Sequence, residues 1–242
     1  MERLKNIKEI IYASVKKYSS NIAFTTKLKK GEKVEYKNTT YKELLEDING
    51  FGTGLYNLGL KKERVAILGR NRYEWVVAHL ANLLGNIVSV PLDKDLQLEE
   101  LETSLIRSKA KAIVFDEKYI EKIEKVKERN NTQVEHFICM GELENYENVN
   151  SLVAEGKKSI EGGNQEYINA EITEKEMGIL LFTSGTTSQS KAVMLSQKNI
   201  ASNVYAMQKV EGIHETDSNL AFLPFHHIFG STCMVMMLAC GV

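Results

Sequence analysis

The stretch RVAILGRNRYEWVVAHLANLLGNIVSVPL, residues 64–92, decides the architecture. RVAILG is a short apolar run with no polar alternation, as expected of a strand buried on both faces. YEWVVAHLANLLG is apolar almost all round and long enough for a buried helix, with Gly85 placed to end it. NIVSVPL is a second apolar strand. The same rhythm continues downstream. LQLEELETSLIRSK reads as a helix, AKAIVFD as a strand, EKYIEKIEKVKER as a charged surface helix and VEHFICMG as a further strand. Short apolar strands separated by helices predict an α/β fold: a layered, mostly parallel sheet with helices on both faces and right-handed crossovers.

Outward from this core, MERLKNIKEIIYASVKKYS reads as an amphipathic charged helix. NIAFTTKLKK and GEKVEYKNTT flank a turn at Lys30-Gly31 and predict a hairpin. In TYKELLEDINGFGTGLYNLG, Thr40 and Glu43 make a capping box, and Gly59 can end the helix. Residues 142–171 are polar and weakly periodic and predict an irregular surface excursion. Thr173 and Glu176 form a second capping box before an expected helical turn. GILLFTS is a strand, AVMLS a short strand, QKNIASNVYAMQKVEG a helix, and SNLAFLPFHHIFG a last strand and turn. Tyr73 and Trp75, on an apolar helix, read as core rather than as a ligand platform.

Composition narrows the function. The 242 residues hold 31 Lys and Arg against 32 Asp and Glu, with 43% hydrophobic and 26% charged residues. A near-neutral balance with only short basic runs argues against a nucleic-acid partner. Cys139, Cys233 and Cys240 are odd in number and set among apolar neighbours, which points to reduced thiols and a cytoplasmic location. They do not have metal-ligand spacing. No run of about 20 apolar residues predicts a membrane-crossing helix, and the charged first helix is not a signal peptide. The final stretch, STCMVMMLACGV, reads as a buried helix, so the chain is expected to be the first part of a longer protein.

LLFTSGTTSQSKAVMLS, residues 180–196, carries the chemistry. It passes from buried strand to a loop of Thr183, Ser184, Gly185, Thr186, Thr187, Ser188, Gln189 and Ser190, then Lys191. Loops at the carboxyl ends of parallel strands are where open α/β sheets bind ligands. Hydroxyls, backbone N–H groups freed by Gly185 and the mobile Lys191 cation suit a phosphate. By composition alone the stretch is also a linker. It is not a Walker A loop, because the second glycine and the hydroxyl after the lysine are missing.

FTSGTTSQSKAVMLSQKN closely resembles the phosphate-loop signature of the AMP-forming acyl-CoA synthetases, the adenylate-forming enzymes. Phe182 to Thr187, Lys191, Val193 and Asn199 match. Ser188, Ser190 and Ala192 stand where that family usually has Gly, Pro and Gly, and Gln197 where it has His. LAFLPFHHIFG resembles the family's L-P-x-x-H-x-x-G segment, which places the family histidine on His227 and leaves His226 structural. TYKELLEDINGFGTGLYNLGL and the stretch from RVAILG to PLDKDL resemble the family's N-terminal region, and the NRYEW and PLDKDL wording is similar to bacterial long-chain fatty acyl-CoA synthetases. The resemblance implies ATP-dependent conversion of a carboxylic acid, a long-chain fatty acid above all, to acyl-AMP and then acyl-CoA. It implies ATP, Mg2+ and CoA as cofactors, with Thr183, Ser184, Gly185, Thr186, Thr187 and Lys191 on the phosphates. It implies Lys191 and His227 as catalytic residues, with no protein metal ligand and Mg2+ on phosphate oxygens. The family's adenine and ribose motifs, hinge and lid have no match, so residues 1–242 are expected to be an incomplete N-terminal AMP-binding domain, inactive alone. Two other readings stay open: a different adenylate-former, such as an aryl-CoA ligase or peptide-synthetase adenylation domain, or a non-catalytic nucleotide-binding remnant. Chain length of the acid, CoA or carrier-protein acceptor and oligomeric state are not legible. A lipid substrate would be compatible with peripheral membrane contact.

Overall fold

The computed structural model describes residues 4–31, 33–183 and 190–242. In chain order the elements are α1 (Ile7–Tyr18), β1 (Ile22–Lys30), β2 (Lys33–Thr40), α2 (Tyr41–Asn57), β3 (Arg64–Leu68), α3 (Tyr73–Leu84), β4 (Val88–Leu92), α4 (Leu98–Ser108) and β5 (Ala112–Phe115). A 3-10 turn at Glu117–Tyr119 leads into α5 (Ile120–Arg129). β6 (His136–Cys139), β7 (Glu147–Asn148), α6 (Val149–Glu161), β8 (Met177–Thr183), β9 (Lys191–Ser196), α7 (Gln197–Val210) and α8 (Ile228–Cys240) follow.

The main sheet has the order β7-β6-β5-β3-β4-β8-β9. Every neighbour pair is parallel except β8 with β9, which are antiparallel, Thr183 facing Lys191. The expected mostly parallel α/β layer is therefore the fold observed. Strand side chains alternate between two cores. Val65 and Ile67 join the core under α1, α2, α3, α6, α7 and α8. Ala66 and Leu68 face the smaller core under Leu101 and Leu105 of α4 and Ile123 and Val126 of α5. With both faces covered, apolar residues fill almost every strand position, and the buried polar Ser89 of β4 is paired with His79. β3 leads to β4 on one side, and the chain then crosses back over β3 to β5 and on to β6 on the other, so the topological switch point lies between β3 and β5.

Local signals act as read. Thr40 and Glu43 form the capping box of α2, and Gly59 sits at φ +78 just beyond it. β1 and β2 pair as a separate antiparallel hairpin. Trp75 is fully buried. His79 stays neutral in the core because burial pushes its pKa down to about 3, and its Nδ1 lies 2.8 Å from the Ser89 hydroxyl.

Three local expectations need correcting. Residues 142–171 are not an irregular excursion, because they contain β7 and α6, and Val149, Leu152 and Tyr167 are buried. α6 approaches α2 so closely that a Cβ on Gly156 would lie 1.8 Å from the Gly50 carbonyl oxygen. Thr173 begins a turn rather than a helix. Its N–H donates to the Glu176 carboxylate at 2.8 Å, and the chain then enters β8. Residues 218–225 form no strand, for their backbone is bonded to a side chain of the loop after β3.

Candidate functional site

Parallel strands present their carboxyl ends on one side of the sheet, and the loops there are free to carry function. β3 ends in Gly69-Arg70-Asn71-Arg72. Asp116 follows β5, is fully buried, and receives Arg70 in a fork: Nε to Oδ2 at 2.6 Å and Nη2 to Oδ1 at 2.9 Å. Burial pushes the Asp116 carboxyl up, but hydrogen bonds from Arg70 and the Lys118 N–H outweigh it and hold the carboxyl below its usual range. Arg72 donates to Glu117 at 2.7 Å and to Glu74 at 2.6 Å. The loop after β3 is thus pinned on both sides of Asn71.

Asn71 uses that fixed position to hold the last loop. Its Nδ2 donates to the carbonyls of Ala221 at 2.9 Å and Leu223 at 2.7 Å. Its Oδ1 accepts the Phe225 N–H at 3.0 Å. These bonds replace a strand partner for the segment. Phe225 is buried with its ring centre 5.3 Å from that of Trp75. Gly230 completes the turn, since a Cβ there would lie 2.2 Å from the Pro224 carbonyl oxygen. Asn71, Trp75 and Gly230 therefore place His226 and His227 at the start of α8. Neither Asn71 nor Arg70 was singled out from sequence, and the available signal was a polar run at the switch point of a parallel sheet.

His226 and His227 line a cleft of about 570 Å³ with Pro91, Leu92, Leu96, Arg107, Leu181, Phe182, Thr183 and Ser190 among its walls. The two imidazole rings are 4.7 Å apart, and His227 is the more exposed. His226 Nε2 lies 3.6 Å from Asp93. Burial, reinforced by His227 and opposed by Asp93, lowers the His226 pKa. The structure thus brings Thr183 and His227, two residues named from sequence, around one cleft and adds His226, Asp93 and Arg107. Lys191 follows Ser190 directly and pairs with Thr183 across β8 and β9. Ser184, Gly185, Thr186 and Thr187, also named from sequence, lie outside the described residues.

The charges sort themselves. Asp93 faces His226, Glu99 pairs with Arg129 at 3.3 Å, and Glu100 caps α4 through the Gln97 N–H. Among the described residues, neither Lys191 nor Arg107 has an ion-pair partner. Unneutralised cations beside hydroxyls suit an anion such as phosphate. No group of three or more His, Cys, Asp and Glu among the described residues could hold a metal. The family departure at Gln197 has a packing role: its amide is buried, donating to the Leu83 carbonyl at 3.0 Å and accepting the Ile7 N–H at 3.3 Å. Asn199 matches the signature because it closes the capping box of α7 with Ser196.

Comparison with known proteins agrees with this geometry. The sequence profile described as AMP-binding enzyme matches residues 11–242, and the chain belongs to that family. A CoA ligase of Gibberella moniliformis is 31% identical over 179 residues, covering 74% of this chain and 28% of the relative. A long-chain-fatty-acid–CoA ligase of Haemophilus influenzae is 28% identical over 228 residues, covering 82% and 40%. Among solved structures, a long-chain-fatty-acid-CoA ligase from Archaeoglobus fulgidus matches with TM-score 0.84 and 21% identity, over 100% of this chain and 46% of that one. The chain spans 28% and 40% of the two relatives' lengths. No helix among the described residues is long and apolar enough to cross a membrane.

One consequence concerns Asn71. Asn71→Ala removes three hydrogen bonds worth about 1 kcal/mol each. In the complete polypeptide this is expected to raise KM for the carboxylate and lower kcat/KM on the order of 10- to 100-fold. A full loss of about 3 kcal/mol would lower the melting temperature by roughly 6–12 °C, and less where water replaces the lost bonds. Exchange kinetics within about twofold of wild type would show that the histidine segment needs no such support.

Proposed function

We propose that the complete polypeptide carrying this sequence activates a carboxylic acid with ATP to acyl-AMP and pyrophosphate, and that the thiol of CoA then displaces AMP to give the acyl thioester. The observation that carries this reading is the meeting, at the carboxyl end of β8, of Thr183 and Ser190 with the His226-His227 segment around one cleft, with Lys191 next to Ser190 and paired with Thr183. Membership of the AMP-binding enzyme family supports it.

In this reading Lys191 and the Thr183 hydroxyl, with Ser184, Gly185, Thr186 and Thr187, hold the phosphates that leave as pyrophosphate. The attack sets an anion on a polyanion, so positioned cations and N–H donors supply most of what the protein contributes. His227 borders the carboxylate, with the His226 ring beside it, 4.7 Å between centres. Mg2+ would supply charge neutralisation at the phosphates. The apolar walls from Pro91, Leu92, Leu96, Leu181 and Phe182 fit an apolar acid. A long-chain fatty acid is the favoured substrate, supported by relatives named long-chain-fatty-acid–CoA ligases. Residues 1–242 are then one part of the large N-terminal AMP-binding domain, and the lid belongs elsewhere in the polypeptide. Reduced, buried Cys139 fits a cytoplasmic protein, with peripheral membrane contact to reach a lipid substrate.

Carboxylate-dependent ATP–pyrophosphate exchange, measured on the complete polypeptide with short, long and aromatic acids, tests the reading. Exchange should be strongest with long-chain acids. A preference for aromatic acids would move the assignment to an aryl-CoA ligase, and exchange with none would leave a nucleotide-binding remnant.

A further inference from the structure

Arg107 stands in the last turn of α4. Leu101 and Leu105 bury α4 against the sheet, so the arginine rises from a fixed base. Its Nη1 donates to the Ser190 carbonyl at 2.7 Å and lies 3.1 Å from the Ser190 Oγ. The same guanidinium lies over the Phe182 ring, 5.3 Å from its centre. Phe182 is near the end of β8, and Ser190 is the residue before β9. One side chain therefore grips both legs of the loop that joins the two strands.

Such a grip has a reason here. Among the described residues β9 is the edge of the sheet, paired with β8, and β8 lies beside β4 with Ile179 opposite Ser89. Among the described residues, the strand ends at Thr183 and Lys191 pair with each other and with no further strand. Position 190 is a serine, whose φ is free, where the resembling family usually has proline, whose φ is locked. A planar guanidinium that hydrogen-bonds and stacks at once restores that restraint from outside the loop.

We propose that Arg107 is a positioning residue for the anion site: it braces Phe182 and Ser190 so that Thr183 and Lys191 face phosphate with fixed geometry. This inference rests on the function proposed above.

The test uses Arg107→Ala, Arg107→Lys and Arg107→Ala combined with Ser190→Pro, each in the complete polypeptide. Arg107→Ala is expected to raise KM for pyrophosphate on the order of 10-fold while kcat moves less than about threefold. Adding Ser190→Pro should recover most of that loss, because proline supplies the missing restraint. Arg107→Lys should recover little, because an ammonium cannot both fork to Ser190 and stack on Phe182. Full rescue by lysine without rescue by proline would overturn the brace and make Arg107 a direct anion ligand. A second readout needs no turnover: hydrogen–deuterium exchange of the paired β8 and β9 amides, without substrate, should quicken in Arg107→Ala. Unchanged protection there would also overturn the proposal. A wild-type polypeptide that exchanges with no acid would sink the proposed function, yet the hydrogen-exchange comparison would still decide the brace.

Discussion

Lys191→Ala, in the complete polypeptide, is expected to lower kcat/KM for carboxylate-dependent ATP–pyrophosphate exchange by about 10²- to 10³-fold. Lys191 is exposed at the first position of β9 and has no ion-pair partner among the described residues. Its charge is therefore available to a ligand rather than spent within the fold. An ammonium about 4 Å from a phosphate oxygen is worth up to about 4 kcal/mol at an effective dielectric near 20. Solvent screening at an open cleft brings that down toward the lower end of the stated range. Lys191→Arg keeps the charge and should retain more activity than alanine, short of wild type. The substitution lies on an exposed edge strand, so the melting temperature should stay within about 1 °C. Exchange within about threefold of wild type, from a protein of unchanged stability, would remove Lys191 from the phosphate site.

Much of this site was legible in sequence because its chemistry is local. The loop from Thr183 to Lys191 announces itself by hydroxyls, a glycine and a lysine after a buried strand, and Leu223 to Gly230 by a proline, two histidines and a glycine at tight spacing. The groups that position them come from far away. Arg107 is 83 residues from Ser190, and Asn71 is 150 residues from Ala221. Nothing in α4 distinguishes Arg107 from a solvated arginine in the last turn of a helix. Only the fold brings it to the loop.

The sheet was legible for a different reason. β3, β4, β5 and β8 are covered on both faces, and a strand so buried is nearly all apolar, with Ser89 the partnered exception in β4. Residues 218–225 misled because Leu220, Phe222 and Leu223 mimic a strand pattern, yet Leu220 and Phe222 are exposed and the backbone bonds to Asn71 instead. α6 escaped notice because much of its inward surface is backbone. Gly156 meets Gly50 and Gly54 of α2, a contact made by the absence of side chains, which interrupts the short stripe of Val149, Leu152 and Val153.

That contact sets the largest expected loss of stability. Gly156→Ala places a methyl group 1.8 Å from the Gly50 carbonyl oxygen, 2.7 Å from its carbonyl carbon and 3.0 Å from the Gly54 nitrogen. All three atoms are helix backbone and cannot rotate away, so the two helices must separate. Alanine in a helix interior is favoured over glycine by about 1 kcal/mol on propensity alone. Overpacking a tight contact costs about 1–3 kcal/mol and more where backbone must move. The clash wins, and a net loss of about 3 kcal/mol is expected, or roughly 6–12 °C in melting temperature for a chain of this size. Gly212→Ala is the matched comparison, because a Cβ there meets nothing within 4 Å and its φ is not positive. That substitution should change the melting temperature by less than about 2 °C. α2 also carries Asp47, which accepts the Tyr73 hydroxyl at 2.8 Å and Lys157 of α6 at 2.7 Å. Separation of α2 and α6 would therefore pull on the first residue of α3, next to the loop that carries Asn71. Gly156→Ala melting within about 2 °C of wild type would mean that the helices are not packed backbone to backbone.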